Sequence, residues 1–268
     1  MNKQAWGGDD LWRNLADTWL TRRAFLRTSG LATGLASTWL AGCSPGASPK
    51  KATAPTPTHD VRASTPGLVI PAGLGVNIHP SPTMRADIGQ LAAVGFRVVR
   101  LDFSWSLVER QPGVYDFSLY EPIIETLAAY GIRPLGILAY NNTLYEPTSA
   151  PPGYNVGPHT DEVRRAFARF AAAAAGHFKG RGIYWEVWNE PDYMPFWFPT
   201  PLADDYMALA KLAIPAMRQA DHQATIIAPA LTGLEPQYQA AWTFLERCLV
   251  LGLADLADAL SLHPYRID

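Results

Sequence analysis

The segment that most constrains this chain is residues 183–192, with the sequence IYWEVWNEPD. Its aromatic and β-branched residues are typical of a strand that is covered on both faces. Pro191 cannot donate a hydrogen bond within a sheet, so the strand is predicted to stop there, with Glu190 at its C-terminal end. The neighbouring tryptophans form an apolar setting that favours a protonated carboxyl group, which suits a general acid at neutral pH. The alternative is that Glu190 caps the next helix or meets solvent.

Predicted strands and helices alternate along the chain from residue 67 onward. The predicted strands cover residues 74–78, 96–103, 132–140, 183–190, 224–229 and 259–263, and the predicted helices cover residues 83–94, 116–130, 161–178, 202–220 and 238–251. Strands separated by helices of this length form parallel βαβ units, so the predicted fold class is α/β. In a barrel of such units, the C-terminal ends of the strands build the active site.

The length of the folded part bounds the number of these units. A complete (β/α)8 TIM barrel takes about 250 residues, whereas residues 67–268 number about 200. The expectation is therefore an incomplete TIM barrel with about six of its eight βα units. Six strands leave two open sheet edges, so the 268-residue chain expressed alone is expected to fold poorly and to associate.

The first 43 residues are predicted to be an export signal that does not belong to the fold. Residues 21–27 (TRRAFLR) resemble a twin-arginine motif, and an apolar stretch follows at residues 30–40, too short to span a bilayer as a mature helix. Residues 40–43 (LAGC) resemble a lipoprotein processing box, in which Cys43 becomes the acylated first residue. These motifs predict an exported, membrane-anchored lipoprotein on the periplasmic or extracellular face. An ordinary cleaved signal and an uncleaved anchor are the alternatives.

A linker is predicted between this signal and the folded domain. Residues 44–66 are rich in Pro, Ser, Ala and Thr and have no apolar periodicity, which is typical of an extended tether. The predicted domain organisation is therefore a signal peptide at residues 1–43, a linker at 44–66 and a partial catalytic domain at 67–268.

Several classes of function are disfavoured by composition. The net charge of −2 gives no electrostatic case for a nucleic-acid partner. The six histidines are scattered, so no metal site is predicted. Cys248 lies in an apolar helical run, and with Cys43 acylated it has no cysteine to pair with. A buried thiol is therefore predicted for Cys248 rather than a nucleophile.

Six short motifs follow the alternation of strands and helices. They are GVNIHP, VVRLDFSW, ERQPGVYDFS, ILAYNN, WEVWNEPD and SLHPYR, between about residues 73 and 266. Together they resemble the retaining glycoside hydrolases of clan A, and most of all the family 39 branch, which is related to family 5 and cuts polysaccharides or β-glycosides. The resemblance implies a TIM-barrel enzyme that hydrolyses O-glycosidic bonds of an oligo- or polysaccharide without a cofactor.

The resemblance also implies roles for residues at the strand ends. Glu190 would be the acid/base, and Asn189 would bind the sugar 2-hydroxyl. Arg100, on the second strand, would orient the nucleophile. The other candidates for sugar contacts are His263 and Tyr265 after the sixth strand, His79 and Asn141 after the first and third, and the aromatic residues Trp105, Tyr140 and Trp188, which fit a protein core equally well.

The nucleophile of this clan is a second glutamate at the end of the seventh strand, which this sequence is not expected to reach. Glu186 shares a strand face with Glu190, but an extended strand separates them by roughly 13 Å, whereas a retaining pair needs about 5 to 5.5 Å. Glu186 is therefore expected to be an interior charge held by a base such as Arg100. Asp102 shares a face with Arg100, so an inverting pair of Asp102 and Glu190 stays open.

Three functions remain in competition on the sequence. The first is a membrane-tethered retaining glycosidase, and the second is a catalytically inactive, carbohydrate-binding lipoprotein with the same barrel. The third is a parallel-barrel enzyme with unrelated chemistry. Two further carboxylates, Glu109 and Asp116, follow the second strand and are predicted to be turn and cap residues with no part in catalysis.

Overall fold

Six parallel strands form the main sheet of this chain, and a two-stranded hairpin stands apart from it. The computed structural model describes residues 73–79, 84–146, 150–233 and 239–264, all within one compact unit of the chain. The strands are β1 (Leu74–Ile78), β2 (Phe96–Ser104), β3 (Glu109–Gln111), β4 (Val114–Tyr115), β5 (Arg133–Ala139), β6 (Tyr184–Val187), β7 (Thr225–Leu231) and β8 (Ala259–Leu262).

Helices connect the consecutive strands of the sheet. They are α1 (Arg85–Ala93), α2 (Trp105–Val108), α3 (Glu121–Ala129), α4 (Asp161–His177), α5 (Ala203–Ala220) and α6 (Gln239–Val250), followed by a 3-10 turn at Leu253–Asp255. None of the helices in these described ranges is long and apolar enough to cross a bilayer.

The main sheet follows the order of the chain. Its strands run β1-β2-β5-β6-β7-β8, and each pairs in parallel with the next. A (β/α)8 barrel repeats a strand followed by a helical connection to the next parallel strand, and the described residues contain six such strands with five helical connections between them. The prediction of an incomplete TIM barrel is therefore confirmed.

Large side chains fill the space between the sheet and its helices. Phe103 of β2 packs edge-on against Trp185 of β6, with ring centroids 5.1 Å apart, and against Phe178 at 5.6 Å. Gly136 of β5 lies between these rings. A Cβ at this glycine would meet ring atoms of both Phe103 and Trp185 at 2.9 Å. The close packing of these aromatic rings therefore depends on the absence of a side chain at residue 136.

A substitution at this glycine tests the packing. Gly136→Ala is expected to lower the free energy of unfolding by about 1–3 kcal/mol, because the added methyl group overpacks the core. Gly176→Ala in α4 is the matched control, since a Cβ there meets only Ala220 at an ordinary 3.5 Å. Helix propensity makes that change neutral or stabilising. Urea unfolding of both variants measures the difference, and equal effects would contradict the packing argument.

Two predictions about secondary structure were wrong. The helix expected to start at Asp116 begins at Glu121, because Asp116 closes a turn in which its Oδ1 accepts a hydrogen bond from the N–H of Ser118 at 2.9 Å. Asp116 was predicted to cap this helix, so that role was wrong, and Asp116 is a turn residue instead. The strand expected to continue to Glu190 ends at Val187.

The two edge strands of the sheet leave apolar side chains exposed. In the described residues β1 pairs only with β2, and β8 only with β7. Leu74, Leu260 and Leu262 on these strands are all exposed. The 268-residue chain expressed alone is expected to self-associate through these edges, because unpaired strands offer backbone donors and acceptors to a second chain. Light scattering after size exclusion measures this, and a monomer with a cooperative melt would contradict it.

Cys248 is buried in α6, as predicted. Burial, followed by the negative charges of Asp204 and Asp192, raises the pKa of its thiol to about 12. A thiol with this pKa carries almost no thiolate at neutral pH, so Cys248 is a packing residue and not a nucleophile.

Candidate active site

The chain turns sharply where β6 ends. Trp188 and Glu190 adopt positive φ angles of 66° and 47°, a region that side chains other than glycine rarely occupy. The N–H of Trp188 still donates to the carbonyl of Leu138 in the neighbouring strand β5, at 3.0 Å. Backbone strain of this kind persists only where the surroundings enforce it, and it clusters at functional sites. The turn holds Asn189 and Glu190 at the C-terminal end of the sheet, and both are buried.

Glu190 is held by a histidine that comes from two strands away. Nδ1 of His263 lies 2.6 Å from Oε1 of Glu190, and both side chains are largely buried. The N–H of His263 donates to the carbonyl of Leu231, the last residue of β7, at 2.8 Å. The sheet therefore fixes the backbone of His263, and the ring of His263 holds the carboxyl group of Glu190.

Arg100 of β2 connects the interior of the sheet to this turn. Its Nε and Nη2 donate to Oε1 of the fully buried Glu186, with 3.1 Å for the Nε bond, which confirms that Glu186 is an interior charge held by Arg100. Nη2 also donates to Oδ1 of Asn189 at 2.8 Å, and Nη1 to Oδ1 of Asn77 at 3.3 Å. Because Arg100 occupies its oxygen, Asn189 offers its amide NH2 group, which can only donate, to another partner.

The estimate of roughly 13 Å between Glu186 and Glu190 assumed an extended strand and does not apply. The chain leaves the strand after Val187, and Arg100 contacts both Glu186 and the residue before Glu190. Glu186 is nevertheless unsuited as a nucleophile, because its carboxylate is buried and paired with the guanidinium of Arg100.

Tyr140 follows β5 and lies beside the turn. Its ring stacks on Phe196 with centroids 5.8 Å apart and meets Trp188 edge-on at 6.0 Å. Burial, and next the negative charge of Asp102, raise the pKa of the Tyr140 hydroxyl above its usual value. The hydroxyl therefore stays protonated and can donate a hydrogen bond. Asn141, the next residue, is partly exposed at the same end of the sheet.

His79 and Asp102 form a second pair at this end, after β1 and within β2. Nδ1 of His79 lies 3.3 Å from Oδ2 of Asp102, and the side chain of His79 is 82% exposed. Two other predicted residues, Tyr265 and the lipidation candidate Cys43, lie outside the described residues.

Two tryptophans that were expected to stack on sugars are core residues instead. Trp105 is completely buried, packs edge-on against Phe167 and donates its Nε1–H to Oε2 of Glu109. Trp188 is also completely buried, and its Nε1–H donates to the carbonyl of Phe196 at 2.8 Å. Neither indole presents a face to a ligand, so the expectation for Trp105 and Trp188 was wrong.

Glu109 makes more structural contacts than its predicted role as a turn residue requires. It is completely buried at the start of β3 and accepts hydrogen bonds from the indole of Trp105, the hydroxyl of Tyr145 and the N–H of Gly113. Its own carbonyl accepts from Nδ2 of Asn142 at 2.8 Å. Glu109 therefore ties the β3-β4 hairpin to the loop that follows β5.

Asp192, a buried carboxylate two residues after Glu190, was not singled out by the sequence analysis. Its buried carboxylate accepts hydrogen bonds from the N–H and the hydroxyl of Thr232, the latter at 2.6 Å. Burial raises the pKa of Asp192, although the bonds from Thr232 oppose that shift. The pair links the loop after β6 to the end of β7. Its position directly after Pro191, in the same motif as Glu190, is the sequence signal that could have identified it.

The fold, with a buried acid where β6 ends, is that of the TIM-barrel glycoside hydrolases. The model of one family within this class, cellulase (glycosyl hydrolase family 5), matches residues 63–247, and the chain therefore belongs to that family. This finding confirms the resemblance to clan A. The motifs most resembled family 39, and structures of that family are among the similar folds.

Comparison with individual proteins supports the same class. A family 39 glycoside hydrolase from Bacteroides cellulosilyticus WH2 is 28% identical with a TM-score of 0.57, over 71% of this chain and 38% of that chain. A β-xylosidase from Caulobacter crescentus CB15 shares the fold at 22% identity and a TM-score of 0.58, over 73% and 42%. The 6-phospho-β-glucosidase of Clostridium longisporum is 26% identical over 111 residues, 40% of this chain. The chain spans 23% of that relative and less than half of either structure.

Proposed function

We propose that the protein is a glycoside hydrolase that cleaves O-glycosidic bonds of a polysaccharide or β-glycoside, with Glu190 as the acid/base. The observation that carries this proposal is the position of Glu190, a buried carboxyl group at a strand end within 2.6 Å of His263. Membership in glycosyl hydrolase family 5 supports the reaction class.

The proposed mechanism is a retaining double displacement. Glu190 protonates the glycosidic oxygen while a second carboxylate attacks the anomeric carbon, and the leaving group departs with the proton. Glu190 then removes a proton from water, which releases the sugar from the covalent intermediate. We assign the nucleophile to a glutamate at the end of the seventh barrel strand, beyond the six strands described. Neither step requires a metal or a cofactor.

The neighbours of Glu190 have supporting roles in this proposal. Asn189, with its oxygen held by Arg100, donates its NH2 group to the sugar 2-hydroxyl. His263 orients the carboxyl group of Glu190. Tyr140 donates its hydroxyl hydrogen to the bound sugar or to the incoming nucleophile. Arg100 orients both Asn189 and the nucleophile.

The test is an assay of the full-length protein on β-glycans and aryl β-glycosides, with the released sugar followed by NMR. The proposal predicts turnover in which the β-anomer appears first. Initial release of the α-anomer would contradict retention and would favour the pair of Asp102 and Glu190 as an inverting acid and base. Sugar binding without turnover would instead support the carbohydrate-binding lipoprotein.

We also propose that the protein is exported and anchored in a membrane by lipid on Cys43. The twin-arginine-like sequence at residues 21–27 and the LAGC sequence at 40–43 support this anchor by their order and spacing. In cells fed a labelled fatty acid, the wild-type protein is expected to carry the label in the membrane fraction. Cys43→Ser is expected to carry none. Unlabelled wild-type protein would contradict the anchor and leave the catalytic proposal untouched.

A further inference from the structure

The turn that carries Glu190 is held differently on its two sides. On the side of β5, the N–H of Trp188 donates to the carbonyl of Leu138, so backbone pairing continues into the turn. On the side of β7, the pairing stops earlier, because the last paired residues of β6 and β7 are Glu186 and Ile227. Within the described residues, the segment after Glu186 therefore reaches the site without strand pairing to β7.

The side chain of Asp192 spans this gap. Its buried carboxylate accepts the hydroxyl hydrogen of Thr232 at 2.6 Å on Oδ2, and the N–H of Thr232 at 3.2 Å on Oδ1. Thr232 directly follows Leu231, the last residue of β7. Hydrogen bonds to a carboxylate are stronger than those between neutral groups. We refer to this contact, which attaches the loop after β6 to the end of β7, as the Asp192–Thr232 clamp.

The backbone between the clamp and the proposed acid is itself fixed. The N–H of Tyr193 donates to the carbonyl of Glu190 at 3.0 Å, which closes a tight turn around Pro191 and Asp192. The ring of Pro191 also fixes its φ angle. The position of Asp192 therefore determines the position of Glu190, two residues earlier.

The end of β7 also carries the histidine that contacts the acid. The N–H of His263 donates to the carbonyl of Leu231 at 2.8 Å, and its Nδ1 lies 2.6 Å from Oε1 of Glu190. A closed circuit of contacts thus runs from Glu190 along the chain to Asp192, across to Thr232, back to Leu231 and through His263 to Glu190. Opening the circuit at the clamp would leave the carboxyl group of Glu190 free to move away from His263.

We propose that Asp192 is a positioning residue for the acid, and that the Asp192–Thr232 clamp keeps the carboxyl group of Glu190 against His263. This inference rests on the proposed function. Both oxygens of Asp192 accept hydrogen bonds from Thr232, so Asp192 acts through Glu190 and not on the substrate. A general acid must lie within hydrogen-bond reach of the oxygen that it protonates, and a displacement of about 1 Å can cost about 100-fold in rate. Side chains that hold the acid therefore contribute to the rate.

The test compares Thr232→Val with Thr232→Ser in the full-length protein, on two substrates with the same glycosyl group. One substrate has a sugar leaving group, which needs a proton, and the other has a 2,4-dinitrophenyl leaving group, which does not. Thr232→Val removes the hydroxyl group at nearly constant shape and is expected to lower kcat/KM about tenfold more on the first substrate than on the second. Thr232→Ser keeps a hydroxyl group and is expected to return this ratio to near the wild-type value.

Thr126→Val is the matched control. The hydroxyl group of Thr126 donates to the carbonyl of Pro122 at 2.6 Å, the same length as in the clamp, but it lies within α3, outside the candidate site. This variant is expected to leave the ratio of the two substrates at the wild-type value. Equal losses on both substrates in Thr232→Val would overturn the proposal, because the clamp would then act on folding alone. No loss on either substrate would also overturn it.

A second measurement reads the position of the acid without turnover. Crystal structures of the full-length wild type and of Asp192→Ala give the distance between Nδ1 of His263 and Oε1 of Glu190, which is 2.6 Å in the intact circuit. In Asp192→Ala this distance is expected to exceed about 3.5 Å, beyond a hydrogen bond. An unchanged distance would overturn the clamp.

The outcomes separate this inference from the proposed function. A wild-type protein that turns over no glycoside would contradict the proposed function, and the clamp would then stand or fall on the distance in Asp192→Ala. Turnover that depends on Glu190, with an unchanged substrate ratio in Thr232→Val, would contradict the positioning role alone.

Discussion

Glu190→Gln is expected to lower kcat on a β-glycan about 10²- to 10⁴-fold, the range that positioned acid–base groups supply. The amide has nearly the same shape as the carboxyl group, but it cannot give a proton to the glycosidic oxygen or take one from water. The side chain also keeps an oxygen near Nδ1 of His263, so the turn after β6 should stay intact. The loss is therefore expected in kcat rather than in folding.

Steady-state kinetics and thermal unfolding of the full-length variant measure the two effects separately. Glu125→Gln is the matched control, because Glu125 is an exposed glutamate on α3, and it is expected to keep wild-type activity. Activity within tenfold of wild type for Glu190→Gln, with an unchanged melting temperature, would remove Glu190 from the acid/base role.

Arg100→Ala is expected to lower the free energy of unfolding by about 3–5 kcal/mol, the usual effect of removing one partner of a buried ion pair. The change leaves the carboxylate of Glu186 completely buried without its guanidinium partner. It also releases the amide oxygen of Asn189. Activity should fall as well, because Asn189 would lose the contact that orients it.

Two further variants control this result, both measured by urea unfolding. Arg247→Ala removes an arginine from the exposed ion pair with Asp204 and is expected to cost far less stability than Arg100→Ala, because solvent screens that pair. The double variant Arg100→Met/Glu186→Leu removes both buried charges and is expected to recover most of the stability lost in Arg100→Ala. A loss below about 1 kcal/mol for Arg100→Ala would show that Glu186 does not depend on this arginine.

The alternation of strands and helices was predictable because it follows from the local periodicity of apolar residues. The first strand was predicted at residues 74–78 and is found there as β1, and the long helix α4 differs from its prediction by one residue. The pairing of Glu186 with Arg100 was also predictable, since both were expected to face the interior of the sheet. Such agreement follows from side-chain direction, which a strand fixes at every second residue.

The turn after β6 was not predictable, because positive φ angles at Trp188 and Glu190 oppose the local preference of those residues. The hydrogen bonds that hold the turn come from Leu138 of β5, from His263 after β8 and from the loop at Phe196, which are distant in sequence or outside the strand pattern. Local sequence therefore extended the strand to Glu190. In the folded protein, tertiary contacts override this local preference for an extended strand.

The burial of the aromatic rings was not predictable for a related reason. Trp105 and Tyr140 both follow strand ends, and their local sequences do not tell which ring is covered. Trp105 is buried by Phe167, Phe170 and Tyr145, which come from α4 and the loop after β5. Glu109 was likewise interpreted as a turn residue because its partners Trp105 and Tyr145 meet it only in the folded chain.

The measurement that tests the central claim most directly is the leaving-group dependence of Glu190→Gln. The full-length wild type and variant are compared on a glycoside with a sugar leaving group and on one with a 2,4-dinitrophenyl leaving group, which departs without a proton. If Glu190 is the acid, the variant loses about 100-fold or more in kcat/KM on the first substrate and far less on the second. Equal losses on both substrates would contradict the assignment of Glu190 as the proton donor.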